Sequence, residues 1–262
     1  MNKTQLLDKL TSNSEDRILL ARVMDQMAVA QNRNVPAHTP FLSPHEQSLV
    51  HRLIASSGYP RAVFLGGYPD AERRICLFLP DWMEEEDADC PELCAIRATW
   101  KDGRNLTHRD FLGALMGMGI SREKLGDILV GEGTCDFILL EEICQFLLQS
   151  MDSAGRSRLT LSRISLDEIQ VPVLRVKTIH DTVATLRLDA VCAAGFSTSR
   201  SRISELISSG KVSLNGQECL KPDAPVEEGD IISCRGMGKC RLTQVEGISR
   251  KGRTIIQIDR YL

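Results

Sequence analysis

Apolar residues recur at helical spacing through the first 60 residues of the chain. A short amphipathic segment carries Leu6, Leu7 and Leu10, and a longer one follows it up to a break that contains two prolines. After this break, residues 43–46 combine a capping box with a proline at the first helical position. These patterns predict an N-terminal helical region over residues 1–73.

The pattern changes over residues 74–170, where strand-like and helix-like segments alternate. The predicted strands are residues 93–100, 125–130, 135–140 and 159–164, and the predicted helices begin at Thr107 and Glu141. The order strand–helix–strand–strand–helix–strand is typical of a ferredoxin-like fold, which RRM-type RNA-binding domains share. The paired aromatic residues with which an RRM stacks bases are missing, so stacking on single strands is not expected. The alternative interpretation of this domain is a scaffold for the C-terminal module.

Two short helices followed by strands are predicted over residues 171–262. In the first helix Leu188, Val191 and Cys192 share one face. Thr185 is the predicted cap of this helix, and Gly195 is the predicted left-handed residue that ends it.

The second helix is predicted to begin after Ser199 as its N-cap and to stop at Gly210. A short strand then ends at Asn215-Gly216, a signal for a hairpin turn, and residues 231–234 form another strand. The whole chain is therefore predicted to be α+β, with an N-terminal helical segment, a ferredoxin- or RRM-like middle domain and a C-terminal domain of two helices and a small sheet.

Basic side chains gather around the second of these helices. Arg200 and Arg202 occupy its first turn and flank its apolar stripe. Arginines are mildly unfavourable there, by about 0.3–1 kcal/mol each, because a helix N-terminus carries partial positive charge. Cations beside exposed backbone N–H groups indicate a phosphate site, whereas the competing interpretation is that they are solvated surface charges. The other basic residues of this candidate site are Arg187, Lys211, Arg235 and Lys239.

The net charge of −3 conceals a division of charge along the chain. Residues 175–262 contain 14 lysines and arginines against 10 aspartates and glutamates, a net charge of +4. Residues 1–174 contain 18 against 25, a net charge of −7. A basic C-terminal module indicates an anionic partner. Because the excess is small, we predict a shaped RNA site rather than a charged tail.

Composition also indicates a compartment. No apolar run approaches the ~20 residues that cross a bilayer, and the N-terminus lacks the apolar core of a signal peptide, so a cytoplasmic protein without a membrane partner is expected. The nine cysteines are odd in number and scattered, which fits buried thiols better than a disulfide framework. Cys90 and Cys94 have no second pair at matching spacing, so neither a metal centre nor a cofactor is expected.

A family resemblance is carried by the segment at residues 187–238, which contains RLD, GFSTSRSR, LISSGKV, LNG and EEGDII in this order. It resembles the S-four RNA-binding domain, or alpha-L motif, which is named after a small-subunit ribosomal protein and recurs in bacterial tyrosyl-tRNA synthetases. In that family the two helices and the following loop bind structured RNA. The resemblance implies RNA contacts by Arg187, Ser199, Arg200, Ser201, Arg202, Lys211 and Asn215.

A second resemblance covers essentially the whole chain. The segment LTHRDFLGALMGMGI at residues 106–120, with GGY at 66–68 and AER at 71–73, resembles the bacterial YlmH-type RNA-binding proteins, which are encoded near cell-division genes. This resemblance implies a non-enzymatic, ribosome-associated protein. Its implied partners are ribosomal RNA, transfer RNA and the large ribosomal subunit, in the quality control of stalled peptidyl-tRNA, with an indirect link to cell division. A monomer is expected.

Two alternative functions remain open from the sequence. The first is an RNA-modifying enzyme of the pseudouridine-synthase type, since S-four modules often stand beside such domains. In those enzymes the module usually comes first, whereas here it comes last. The second is an interaction factor of the division machinery that binds through the acidic residues 84–89. The triplet His108-Arg109-Asp110 also occurs in kinase catalytic loops, but here Thr107 and Asp110 fit a capping box and no asparagine follows at the required spacing.

Overall fold

The computed structural model describes residues 3–58, 61–85, 92–173 and 176–261. The chain forms two compact units, Met1–Pro172 (unit 1) and Val173–Leu262 (unit 2). Helices and strands occur in both units, which confirms the predicted α+β class. Cys90 and residues 86–89 of the acidic run lie outside the described residues.

The N-terminal part of unit 1 packs three helices on a small antiparallel sheet. The helices are α1 (Lys3–Leu10), α2 (Ser14–Arg33) and α3 (Pro44–Ser57), and the strands are β1 (Ala37–His38), β2 (Ala62–Leu65) and β3 (Ile75–Phe78), in the order β1-β3-β2. The predicted capping box starts α3, because Ser43 and Glu46 each accept a hydrogen bond from the other's backbone N–H. Strand β3 follows the predicted domain boundary at residue 73, yet it pairs with β1 and β2.

The middle part of unit 1 has the ferredoxin-like strand order. Its elements are β4 (Leu93–Thr99), α4 (His108–Gly117), β5 (Leu125–Val130), β6 (Thr134–Leu140), α5 (Cys144–Ser150), β7 (Ser153–Ala154), β8 (Ser157–Arg158) and β9 (Thr160–Ile164). The sheet runs β5-β6-β4-β9 with every neighbour antiparallel. Helices α4 and α5 pack on one face, where Phe111 of α4 joins Ile96 and Phe137 of the sheet in one core. The capping box of Thr107 and Asp110 starts α4 as predicted. The sequence did not predict the short hairpin β7–β8.

The opposite face of this sheet is covered within unit 1. Ile138 and Leu140 of β6 form a buried cluster with Phe41 and Ile75 from the N-terminal part. The backbone comes so close at Gly126 that an added Cβ would lie 2.8 Å from Cε1 of Phe41. This is the face on which an RRM stacks bases, and here it is largely occupied by the protein itself.

Unit 2 places two helices against a six-stranded antiparallel sheet. Its elements are β10 (Val176–Val183), α6 (Leu188–Gly195), α7 (Arg200–Ser208), β11 (Val212–Leu214), β12 (Gln217–Glu218), β13 (Ile231–Cys234), β14 (Gly238–Ile248) and β15 (Thr254–Tyr261). The sheet order is β10-β15-β14-β13-β11-β12. Leu188 and Val191 from α6 and Ile203 and Ile207 from α7 share one core with Ile258 of the sheet.

The turn and the helix ends that the sequence predicted in unit 2 were partly right. Asn215 and Gly216 have φ of 50° and 79°, which confirms the predicted tight turn. The predicted cap of α6 was wrong, because its N-cap is Arg187 rather than Thr185. The prediction for Gly195 was also wrong. It is the last residue of α6, and the left-handed residue beyond the helix is Ser197, with φ of 52°.

Candidate RNA-binding site

A buried carboxylate organises two of the predicted contact residues. Asp189 lies in the first turn of α6, and its side chain is only 7% exposed. It accepts a hydrogen bond of 2.7 Å from Nη2 of Arg200, at the start of α7. It also accepts bonds of 3.3 and 3.2 Å from Nε and Nη2 of Arg187. The guanidinium groups themselves remain accessible, at 42% exposed for Arg187 and 54% for Arg200.

The balance of energies at Asp189 favours its charged form. Burial alone would raise the pKa of this carboxyl group, because a low-polarity environment disfavours charge. Hydrogen bonds from Arg200 and Arg187 outweigh burial, and the pKa of Asp189 lies below its usual value. Two guanidinium groups on one carboxylate leave an excess positive charge at the surface. The cluster therefore has the electrostatic character of an anion site, with its cations already oriented.

A second group of cations lies between the end of α7 and the sheet. The backbone N–H of Arg235 donates to the carbonyl of Lys211 at 2.8 Å, which joins the exit of α7 to the end of β13. Burial raises the pKa of Cys234, and the charges of Arg202 and Lys211 oppose this rise. Lys211 directly precedes Val212, which pairs with Cys234 in the sheet. Among the described residues, no carboxylate pairs with Arg202, Lys211 or Arg235, and all three are exposed.

The start of α7 holds the predicted serines. Ser199 is the N-cap of the helix as predicted, and its hydroxyl accepts a bond of 3.4 Å from the backbone N–H of Arg202. The hydroxyls of Ser199 and Ser201 lie 3.2 Å apart, and both residues are exposed. Two hydroxyls therefore stand beside Arg200 and Arg202 at the positive end of a helix, where they can donate to an anion.

Two of the predicted contact residues have other engagements in the structure. The side chain of Asn215 closes its turn, since Nδ2 donates to Asp230 at 2.7 Å and Oδ1 accepts from the N–H of Ile231 at 2.9 Å. Nζ of Lys239 lies 5.7 Å from the ring centroid of Tyr261. Its neighbour Cys240 is buried on the helix-facing side of the sheet, so Lys239 points to the other side. RNA contacts by these two residues stay predictions.

The structure adds two residues that the sequence reasoning missed. The first is Asp189, described above, which belongs to the RLD motif. The second is Arg260, whose guanidinium lies 5.7 Å from the ring of Phe196 in the loop between α6 and α7. Arg260 follows Ile256 and Ile258 on the helix-facing side of β15, and this alternation was the available signal.

All eight cysteines in the described part of the chain are free thiols, and all but Cys219 are buried. Burial raises the pKa of Cys240 to about 12, which makes that thiol a poor nucleophile at neutral pH. Cys94, Glu141 and Cys144 have possible ligand atoms within 4.8 Å of one another. The carboxylate of Glu141 is, however, bound by both terminal nitrogens of Arg163 at 2.8 Å. No helix in the described part of the chain has the length and apolar character needed to cross a membrane.

A small antiparallel sheet that carries two helices with ordered arginines defines unit 2 as an RNA-binding module of the S-four class. Comparison with family models agrees, because residues 186–232 match the S4 domain. Residues 15–80 match "YlmH, N-terminal", and residues 92–168 match "Putative RNA-binding domain in YlmH".

Relatives of the chain point to the same family. The chain is 32% identical over 247 residues to the ribosome-associated protein quality control protein P2 of Bacillus subtilis, and the match covers 94% of this chain and 95% of the relative. The chain therefore belongs to the YlmH family. A solved structure, cell division protein ylmH from Streptococcus pneumoniae, has a TM-score of 0.53 at 22% identity and covers 62% of this chain and 98% of its own. That likeness supports the fold.

Proposed function

We propose that this protein is a non-enzymatic factor that binds structured RNA of the large ribosomal subunit and takes part in the quality control of stalled peptidyl-tRNA. The observation that carries the proposal is the pair of arginines on Asp189, together with Arg202 and Lys211, which pair with no carboxylate among the described residues. Such a cluster suits phosphates in a fixed geometry, since guanidinium groups bind phosphate oxygens through two parallel bonds.

The ribosomal partner is inferred from the family. The Bacillus subtilis relative is named for ribosome-associated quality control, and it matches nearly the full length of this chain. The S-four class supplies a reason why the partner is folded RNA, because its helices meet a shaped sugar–phosphate surface rather than base edges. Ribosomal RNA and transfer RNA both offer such surfaces on the large subunit.

A direct test uses co-sedimentation of the purified chain with large ribosomal subunits. Arg202→Glu is the most informative variant, because Arg202 is exposed and pairs with no carboxylate in the described part of the chain. Arg200→Ala is less clean, since it removes a partner from the buried Asp189 and so acts on stability as well. We expect Arg202→Glu to reduce the bound fraction strongly at moderate salt, while its thermal unfolding temperature does not fall, because a glutamate three residues after the N-cap Ser199 favours the start of α7.

The matched control is Lys251→Glu, which makes the same change of charge at the exposed hairpin tip between β14 and β15. This tip lies at the opposite end of β15 from Arg260. A folded Arg202→Glu variant that sediments with ribosomal subunits as well as the Lys251→Glu control would exclude the surface of α7 as the binding site.

A further inference from the structure

Unit 1 carries a second group of basic side chains, at one end of its middle sheet. Two of them belong to the hairpin β7–β8, in which Ser157 is fully buried. Arg156 lies in the turn of the hairpin and Arg158 lies on β8, and both side chains are exposed. The hairpin is thus a short two-stranded element that presents two arginines to solvent.

Hydrogen bonds fix the neighbouring loop against this hairpin. The loop follows β4, and the indole Nε1 of Trp100 donates to the carbonyl of Arg104 at 2.7 Å. Trp100 itself is 8% exposed and belongs to the core. Nη1 of Arg104 then donates to the carbonyl of Arg156 at 2.6 Å. The loop that carries Lys101 and Arg104 is therefore attached to both the core and the hairpin.

The start of α4 joins the same surface. Gly155 at the hairpin turn has φ of 57°, and an added Cβ there would lie 3.3 Å from Oδ1 of Asp110. Arg109 precedes Asp110 and lines, together with Gly155, an open cleft of about 480 Å³. The loop, the hairpin and the helix start are therefore neighbours. Their exposed cations, Lys101, Arg104, Arg109, Arg156 and Arg158, are together called the hairpin surface.

The nearby carboxylates are already engaged. Asp110 accepts bonds from the hydroxyl and the N–H of Thr107, and these bonds hold the pKa of Asp110 below its usual value. Asp102 lies 3.8 Å from Nη1 of Arg104. Within the described residues, no carboxylate pairs with Lys101, Arg109, Arg156 or Arg158. Asp152, which lines the same cleft, accepts a bond of 2.8 Å from the hydroxyl of Ser153. Five cations against these three carboxylates leave the hairpin surface with a net positive charge, although residues 1–174 carry a net charge of −7.

We propose that the hairpin surface is a second phosphate-binding site for structured RNA, separate from the S-four helices. The inference rests on the proposed function and extends it to unit 1. RNA fits better than an acidic protein because four of the five cations are arginines. The planar guanidinium group of arginine can donate two parallel hydrogen bonds to phosphate oxygens. The surface is also part of the segment, residues 92–168, that matches the family's RNA-binding model. Because the face used by an RRM for stacking is covered by Phe41 and Ile75, the middle domain meets RNA through phosphates at this end instead.

The test reverses two charges in the full chain with Arg156→Glu and Arg158→Glu together. The probe is ribosomal RNA extracted from purified large subunits, and its affinity is measured between 50 and 200 mM salt. Since each lost phosphate contact lowers the slope of log K against log salt by about 1, we expect the slope to fall by about 2 and the affinity near 50 mM salt to fall about tenfold.

The matched control is Arg22→Glu with Arg52→Glu, which reverses two exposed charges on α2 and α3 and should bind like wild type. Equal affinities for the hairpin variant and this control would refute the second site. Loss of binding to whole subunits with unchanged binding to the extracted RNA would also refute it, since the partner would then be a ribosomal protein. Arg202→Glu is measured in parallel, so that failure of the S-four site and failure of the hairpin surface give different results.

Discussion

At the scale of single residues, one buried carboxylate sets the geometry of the candidate site. Asp189 is 7% exposed, yet it stays charged because Arg187 and Arg200 both donate to it. A buried charge that keeps its partners imposes order on them, while loss of Arg200 would leave Asp189 with only the longer bonds from Arg187. The two arginines therefore meet a ligand from fixed positions, and less side-chain entropy is lost when RNA binds.

Asp189→Asn separates this positioning role from simple charge. The substitution keeps the shape of the side chain and raises the net positive charge of unit 2 by one. If charge alone determined affinity, the variant would bind RNA more tightly. We expect weaker binding, because Asp189 no longer holds both guanidinium groups in position. We also expect the free energy of unfolding to fall by about 1.5–3 kcal/mol, because hydrogen bonds to a charged group are lost. Filter binding and urea denaturation measure the two effects.

The control for this variant is Glu246→Gln, an equal change of charge at an exposed position of β14. It should bind at least as well as wild type and unfold at the same urea concentration. Tighter binding by a folded Asp189→Asn variant would show that Arg187 and Arg200 need no positioning.

At the scale of elements, the close contact between the N-terminal part and the middle sheet of unit 1 depends on a glycine in β5. A Cβ at Gly126 would lie 2.8 and 2.9 Å from ring atoms of Phe41 and 3.1 Å from the carbonyl of Ile138. Phe41 is 2% exposed and cannot retreat without a cavity or a clash. We expect Gly126→Ala to destabilise the chain by about 1–3 kcal/mol through overpacking.

Gly113→Ala is the matched variant, and we expect it to change the stability of the chain in the opposite direction. Gly113 lies in α4, nothing lies within 4 Å of an added Cβ, and its φ is not positive. Alanine should therefore stabilise the helix by up to about 1 kcal/mol. Thermal unfolding of the two variants checks both signs, and a neutral Gly126→Ala would show that Phe41 does not pack tightly on β5.

Elements with strong local signals could be predicted from the sequence. Strand-like segments in the sequence gave β5 and β6 almost to the residue, and capping patterns gave the starts of α3 and α4. The hairpin β7–β8 was missed because two-residue strands show no periodicity. The prediction for Gly195 was wrong because this glycine serves close packing and does not adopt a left-handed conformation. An added Cβ there would lie 3.0 Å from Sγ of Cys240. A contact with a residue so distant in the sequence leaves no local pattern.

The same limit applies to the candidate site. The charges of Arg200 and Arg202 were visible in the sequence, whereas their different environments were not. Asp189 precedes Arg200 by 11 residues, and only the packing of α6 against α7 brings their side chains together. The hairpin surface likewise depends on Arg104 and Arg156, which are separated by 52 residues.

At the scale of the whole molecule, two units of opposite net charge each carry an arginine surface. Unit 2 is basic overall, whereas the hairpin surface of unit 1 lies in an acidic environment. The net charge of −3 gives the whole chain no overall attraction to RNA, so affinity must come from local contacts. Two modest sites on one chain gain affinity together when they contact the same RNA, because binding at one raises the effective concentration at the other.

This arrangement predicts how variants of the two surfaces combine. Arg202 and the pair Arg156 and Arg158 share no described partner, so their losses of binding free energy should add if one RNA contacts both surfaces. The triple variant should then show a salt slope lower by about 3 than wild type, since three phosphate contacts are gone. If each surface bound a different RNA, the triple variant would bind each RNA no worse than the corresponding single-surface variant does. Salt titrations of extracted ribosomal RNA and, separately, of transfer RNA distinguish the two arrangements, because only a shared RNA makes the losses accumulate on one ligand.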